Sequence, residues 1–222
     1  MAWSGLVLAF AVFFISHSLP IRPPLRPILE RALGPRGFTF AYATLSTLVL
    51  IWLIVAAGRA PFVQVWPWAA WQSHAAMGLM LVAGLLLAIS IARPNPFSFG
   101  GSRNHLFDAR NPGPVRLTRH PLLVALAIWS GAHLLANGDL AHVILFGTFS
   151  AFAILGGRII DRRRKREMGE EWARLAGTVR AQPLSAAFRP AGSTAWRIFI
   201  GLVIYYGVLV LHPLVIGVNP MP

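Results

Sequence analysis

Six apolar stretches, each close to the length at which a helix crosses a bilayer, leave this chain few ways to fold. They fall at residues 3–19, 38–57, 74–92, 121–136, 140–157 and 196–216, against the roughly 17–25 residues that a spanning helix needs. Inside a bilayer each backbone amide must be satisfied by the segment itself, so each stretch is expected to be helical. Composition points the same way. Of 222 residues, 56% are hydrophobic and 12% are charged, where a soluble domain carries about 25% charged residues. The expected fold is an all-α polytopic membrane protein with six transmembrane helices in one domain over residues 1–222. The first stretch does not read as a secretory signal, because no Lys or Arg precedes it and no small-x-small site follows.

The net charge of +13 would suggest a nucleic-acid partner in a soluble chain. Here its distribution suggests topology instead. The connection after the first stretch carries four arginines, the connection after the third carries five, and the region around the last connection carries ten of the Lys and Arg. The second connection has Arg59 alone, and the fourth connection and both ends have none. Basic residues stay on the cytoplasmic side, so both termini are expected outside and the long basic loops in the cytoplasm. No nucleic-acid binding is expected. The lipid bilayer is the expected partner, with anionic lipid drawn to the Arg158–Arg166 cluster.

The connections have distinct characters. Pro20, Pro23 and Pro24 stop the first helix. Trp66, Trp68 and Trp71 mark a membrane–water interface. Residues 93–119 form a long connection with Phe97, Phe99 and Phe107 and a Gly100-Gly101 pair. Loops of that length are usually functional or disordered, and its aromatics predict that it packs on the bilayer surface or folds back into a site. It ends in the triplet Arg119-His120-Pro121, and Asn137-Gly138-Asp139 predicts a tight reversal after the fourth helix. Beyond the fifth span, Asp161 with Lys165 and Glu170 with Arg174 are spaced as i,i+4 ion pairs. Met168, Trp172 and Leu175 share one face, so this segment is expected to be a cytoplasmic amphipathic helix on the membrane surface.

The chain has no cysteine, which excludes disulfides, thiolate metal sites and covalent c-type haem attachment. Any metal rests on histidine, carboxylate or methionine. By topology His17 and His120 lie at cytoplasmic helix ends and His105 in a cytoplasmic loop, while His74, His133, His142 and His212 lie toward the outer ends. His120 and His133 are about 20 Å apart along their helix and about 140° around it, so they serve different sites. Trp129, His133 and Asn137 share a face. An imidazole within a spanning helix is a functional candidate, and the ordinary alternative is an interhelical hydrogen bond. Two imidazoles from different helices most naturally hold a haem iron. A zinc site from the outer histidines with Asp139 is the lesser alternative. Depth favours the pairs His17 with His120 or His74 with His133.

Several of these residues together resemble the NnrU family: His17-Ser18 closing the first helix, Arg119-His120-Pro121, Trp129-x-x-x-His133 and the following Asn137-Gly138-Asp139. Asp161-x-Arg163 with Glu170-Glu171-Trp172 belongs to the same pattern, so the resemblance covers roughly residues 1–180. It extends to the plant 15-cis-zeta-carotene isomerase and implies non-covalent haem b, with His17 and His133 as the iron ligands. It also implies a bacterial inner-membrane location and a link to denitrification and nitrogen-oxide metabolism. The reaction would be redox or isomerase-like, on a small or apolar substrate. The isomerase pattern has a ligating cysteine three residues before its second histidine; Ser130 stands there in this chain.

A second resemblance, to isoprenylcysteine carboxyl methyltransferases, rests on Arg119-His120-Pro121, a two-helix hairpin and Glu170-Glu171. It implies S-adenosylmethionine as cofactor, with Arg119, His120, Glu170 and Glu171 around it and a lipophilic substrate. The tyrosine-rich basic end of that family is not matched. The third reading is a non-enzymatic membrane partner or transport element using the Arg158–Arg166 cluster.

Overall fold

The computed structural model describes residues 3–99 and 101–221, so Gly100 of the Gly100-Gly101 pair lies outside the described residues. Helices carry the fold: α1 (Ser4–Ser18), α2 (Leu25–Gly58), α3 (Ala70–Ser90), α4 (Pro121–Ala136), α5 (Leu140–Met168), α6 (Glu170–Ala181) and α7 (Ala191–Val215). Short 3-10 turns occur at Asn104–Leu106, Gly113–Arg116 and Leu184–Phe188. The described residues hold no strand beyond an isolated bridge between Gln64 and Asp139. Four helices, α2, α3, α5 and α7, are long and apolar enough to cross a membrane. Two more, α1 and α4, are apolar but only 15 and 16 residues long.

Two boundaries differ from the hydropathy pattern. The segment before residue 38 is helical from Leu25, interrupted only by a kink at Gly34 (φ 72°) followed by Pro35. There Arg26 Nε donates to Glu30 at 2.9 Å, an i,i+4 pair that favours the helix. The basic run after residue 157 is not a separate surface helix but the continuation of α5 to Met168. Hydropathy marks where a helix leaves the apolar phase, whereas backbone hydrogen bonding continues until a residue breaks it. Gly169 does so with φ 58°, a conformation natural to glycine.

The chain divides into two units, one of residues up to Trp66 with Gly138–Leu145, the other of Pro67–Asn137 and the chain from Phe146 onward. In the first, α1 packs on α2 and the Tyr42 hydroxyl donates to the His17 carbonyl at 3.2 Å. The Gly138 carbonyl accepts from the Val65 and Trp66 amides, and the Leu140 amide donates to Val63. A Cβ on Gly138 would overlap the Trp66 carbonyl, which is why the reversal needs glycine here. Asp139 caps α5 by accepting from the His142 amide at 3.2 Å.

In the second unit α4 and α7 both pack on α3. The α3–α7 pair is antiparallel. Arg197 Nη1 donates to the Ala88 and Ile91 carbonyls at 3.0 and 2.8 Å, closing the C-terminus of α3 with a cation. The Tyr205 hydroxyl reaches the Met77 carbonyl at the far end. Between them Gly201 lies so close to α3 that a Cβ would stand 2.9 Å from that of Ala88. From Phe146 onward α5 runs antiparallel to α4. Trp129 meets Phe149, Ser130 Oγ lies 2.8 Å from Ser150 Oγ, and Leu123 reaches Gly156.

This packing predicts opposite outcomes for two glycines of α7. Gly201→Ala overpacks the α3 contact and lowers stability by about 1–3 kcal/mol. Gly207→Ala, with open space around its Cβ, is neutral or stabilising through helix propensity. Thermal unfolding of both variants in detergent, compared with the parent protein, checks the contrast.

Candidate functional site

The Arg119-His120-Pro121 triplet acts as a helix start. Pro121 occupies the first turn of α4, where its missing N–H costs nothing and its fixed φ fits the helix. Proline also disfavours helical backbone at the residue before it, and His120 takes φ −120°, ψ 59°. That turn directs the imidazole toward α5, with 8% of the residue exposed. Gly157 makes room for it: a Cβ there would stand 3.2 Å from His120 Cδ2.

Both ring nitrogens of His120 are engaged. Nδ1 lies 3.0 Å from Ser98 Oγ and Nε2 lies 3.1 Å from Asp161 Oδ1. Asp161 is also clasped by Arg119, whose Nε donates to Oδ1 at 3.1 Å and whose Nη2 donates to Oδ2 at 2.6 Å. This two-point geometry is the strong form of a carboxylate–guanidinium pair. Asp161 lies beyond the apolar part of α5. Burial raises its carboxyl, but the hydrogen bond and charge of Arg119, together with His120, outweigh that and hold it below the usual carboxylate range.

The surroundings come from the 93–119 connection and α6. Asn95 Nδ2 donates to the Arg119 carbonyl at 3.0 Å, and Asn95 Oδ1 accepts from the Phe97 amide. Phe97 is fully buried, edge-on to Phe107 and Trp172. With Ala109, Val115 and Val179 it forms a core on which Leu175 and Ala176 pack. The long connection therefore folds back, and the apolar face of α6 is covered by protein rather than laid on the membrane. Trp172 presents its ring to two cations, with the Arg119 guanidinium carbon 5.3 Å and Lys165 Nζ 4.4 Å from its centre. Arg93 anchors the other end of this connection, donating to the Arg189 carbonyl and to Thr194 Oγ1, both at 2.8 Å. Burial lowers the Arg93 guanidinium, and the nearby Arg197 adds to the effect.

Ser98, His120 and Asp161 stand in the hydroxyl–imidazole–carboxylate order of a hydrolytic relay. Ser98 is only 2% exposed, however, and an adjacent cleft is lined by its neighbour Phe97 and by Arg119, not by Ser98 or His120. A nucleophile must reach its substrate, so this relay works as a buried polar clamp.

The two sequence ion pairs rearrange. Asp161 takes Arg119 and His120 rather than Lys165, and Arg174 takes Glu171 at 2.6 Å rather than Glu170. Glu170 and Glu171 are exposed, so the structure does not bring them to His120 and Arg119 as one cofactor pocket. Asp161 is the legible clue, as the one acid in the otherwise basic and aliphatic run from Arg158 to Arg166. Ser98 and Asn95 carry no periodic signal.

The other histidines behave differently. His133 Nδ1 lies 2.9 Å from the Trp129 carbonyl, His17 Nδ1 lies 2.9 Å from that of Phe13, and His74 Nδ1 lies 2.9 Å from that of Ala70. A carbonyl only accepts, so Nδ1 is the donor in each of these contacts. His133 packs between Trp129 and Phe146, with centroids 5.1 and 4.9 Å away. His17 lies on Phe13 at 4.0 Å, and His74 is exposed. His17 belongs to the first unit, and His74, His120 and His133 to the second. Ser130, fully buried, bonds the Leu126 carbonyl and Ser150. Among the described residues no group of three or more His, Asp or Glu is placed to hold a metal ion; His142 instead pairs with Asp139 at 2.6 Å.

The clamp yields a prediction. A double-mutant cycle on Arg119→Ala and Asp161→Ala gives a coupling of about 1–2 kcal/mol, modest because Arg119 is about a third exposed. The same cycle on Asp161 and Lys165 gives a coupling near zero, read by thermal unfolding in detergent.

No curated protein and no solved structure matches this chain. The family model described as NnrU protein matches residues 5–220. With the start of α4, the Trp129–His133 pair and Asp161 all inside that match, the chain belongs to the NnrU family.

Proposed function

We propose that this protein binds haem b in a bacterial inner membrane, with His133 and His17 supplying the iron ligands. In this reading it crosses the membrane six times, with both termini outside and its basic loops in the cytoplasm. The observation that carries the haem reading is the hydrogen bond from Nδ1 of each of these histidines to its own helix carbonyl. It places a proton on Nδ1, so that each histidine would ligate a metal through Nε2 while its other nitrogen is held by the protein. The aromatic neighbours of both rings suit a flat apolar macrocycle. His120 is set apart, because Ser98 and Asp161 occupy both its nitrogens. His74 has the right tautomer and stands as the reserve ligand.

Bound haem would supply one-electron or Lewis-acid chemistry to a small or apolar substrate, in the nitrogen-oxide metabolism that the resemblance implies. The protein's own contribution is to hold each imidazole in one tautomer and to keep the surroundings apolar. Ser130 offers no thiolate near His133, so the second histidine has no cysteine competitor. The topology is supported by the arginine asymmetry between connections and by the apolar helices α1 to α5 and α7.

Protein purified from haem-supplied cells is expected to show a Soret band. His133→Ala and His17→Ala are each expected to lower haem occupancy at least about tenfold, with recovery on adding imidazole. His120→Gln is expected to keep its haem. A colourless parent protein, or equal occupancy in all three variants, overturns the reading.

A further inference from the structure

A cleft of about 180 Å³ opens beside the clamp, between the Gly113–Arg116 turn and α6. Its floor includes Phe97 and Val179, and its walls include Arg116, Thr118, Arg119 and Arg180. The volume is below the roughly 300–1,000 Å³ of pockets that enclose a cofactor-sized ligand. The space suits a single compact polar group.

Its charge is one-sided. Arg119 is neutralised by Asp161. Arg116 uses Nε to hold the Gln182 carbonyl at 2.5 Å, which fixes the side chain without neutralising it. Among the described residues the ion pairs include no carboxylate partner for Arg116 or Arg180, and no acid lines the cleft. Two unneutralised guanidinium groups on one concave surface repel each other, and an anion between them reverses that term. Guanidinium forks match the oxygens of a phosphate, and the Thr118 hydroxyl adds a donor. Leu117, 47% exposed, gives the rim an apolar edge.

We propose that this cleft binds a phosphate group through Arg116, Arg180 and Thr118, presented either by an anionic lipid headgroup or by a soluble phosphate. The Arg158–Arg166 cluster is a separate feature. Its charges at 162–166 are consecutive and so surround α5, and Arg163 and Arg164 pair with Glu167, so they attract anions without enclosing them.

Native mass spectrometry of the full chain in detergent tests this with three probes: dioleoyl phosphatidylglycerol, dioleoyl phosphatidylcholine and inorganic phosphate. Arg180→Gln, at an exposed position that leaves the packing intact, is expected to weaken binding of the preferred probe about tenfold. Arg116→Lys, which loses the fork but keeps the charge, is expected to weaken it less. The paired control Arg162→Gln/Arg166→Gln is expected to leave this binding unchanged. Phosphatidylglycerol bound in preference to both other probes assigns a lipid source. Inorganic phosphate bound with the same dependence on Arg180 assigns a soluble one. Binding of every probe unaffected by Arg180→Gln, or weakened equally by the control pair, overturns the proposal.

Discussion

Arg119, His120 and Asp161 form the contact on which the basic end of the second unit depends. Asp161 is the only acid within the arginine run of α5, and a half-buried carboxylate must be compensated by cations or donors. Arg119 supplies two hydrogen bonds and a charge, and His120 supplies a third contact. Both partners stand where the long 93–119 connection enters α4, so the pair fastens that connection to α5. Once fastened, Asn95 holds the Arg119 carbonyl, Phe97 is driven into its core, and Trp172 on α6 closes over Arg119. An ion pair in part-exposed surroundings contributes modestly to stability. Its larger consequence is positional, since it selects which of many loop conformations places the aromatics together.

The α4–α5 hairpin thereby gives its two histidines different environments. At the basic end His120 is locked by acceptors and donors on both nitrogens and has no lone pair to offer a metal. Toward the other end His133 lies among Trp129, Phe146 and Phe149, with its proton directed into its own helix. The separation follows from helical geometry, since 13 residues put the rings about 20 Å apart. The family pattern spanning both ends thus combines a structural start for the helix with a separate imidazole set among aromatic rings.

Much of this was legible in residue order, and the failures share one cause. The span of α4 coincides with its apolar run because Pro121 begins it and Asn137 ends it, both local signals. The helices α2 and α5 outrun their apolar stretches because hydropathy reports contact with lipid, while a helix continues through charged residues until glycine or proline interrupts it. Pairing Asp161 with Lys165 and Glu170 with Arg174 followed spacing on one helix. Spacing is blind to a stronger partner from elsewhere in the chain, and Arg119 is such a partner.

The sequence by itself determined that this chain is helical and membrane-type, that its metal chemistry must be free of sulfur from cysteine, and which family it resembles. Those properties rest on composition and on residues near one another in the chain. The tertiary structure decided that His120 belongs to a buried clamp, that α6 turns its apolar face to the 93–119 connection, and that Arg116 and Arg180 share a cleft. Each depends on residues brought together from different helices and loops. Their energies exist only when desolvation and charge pairing act on both partners at once, which no local pattern encodes.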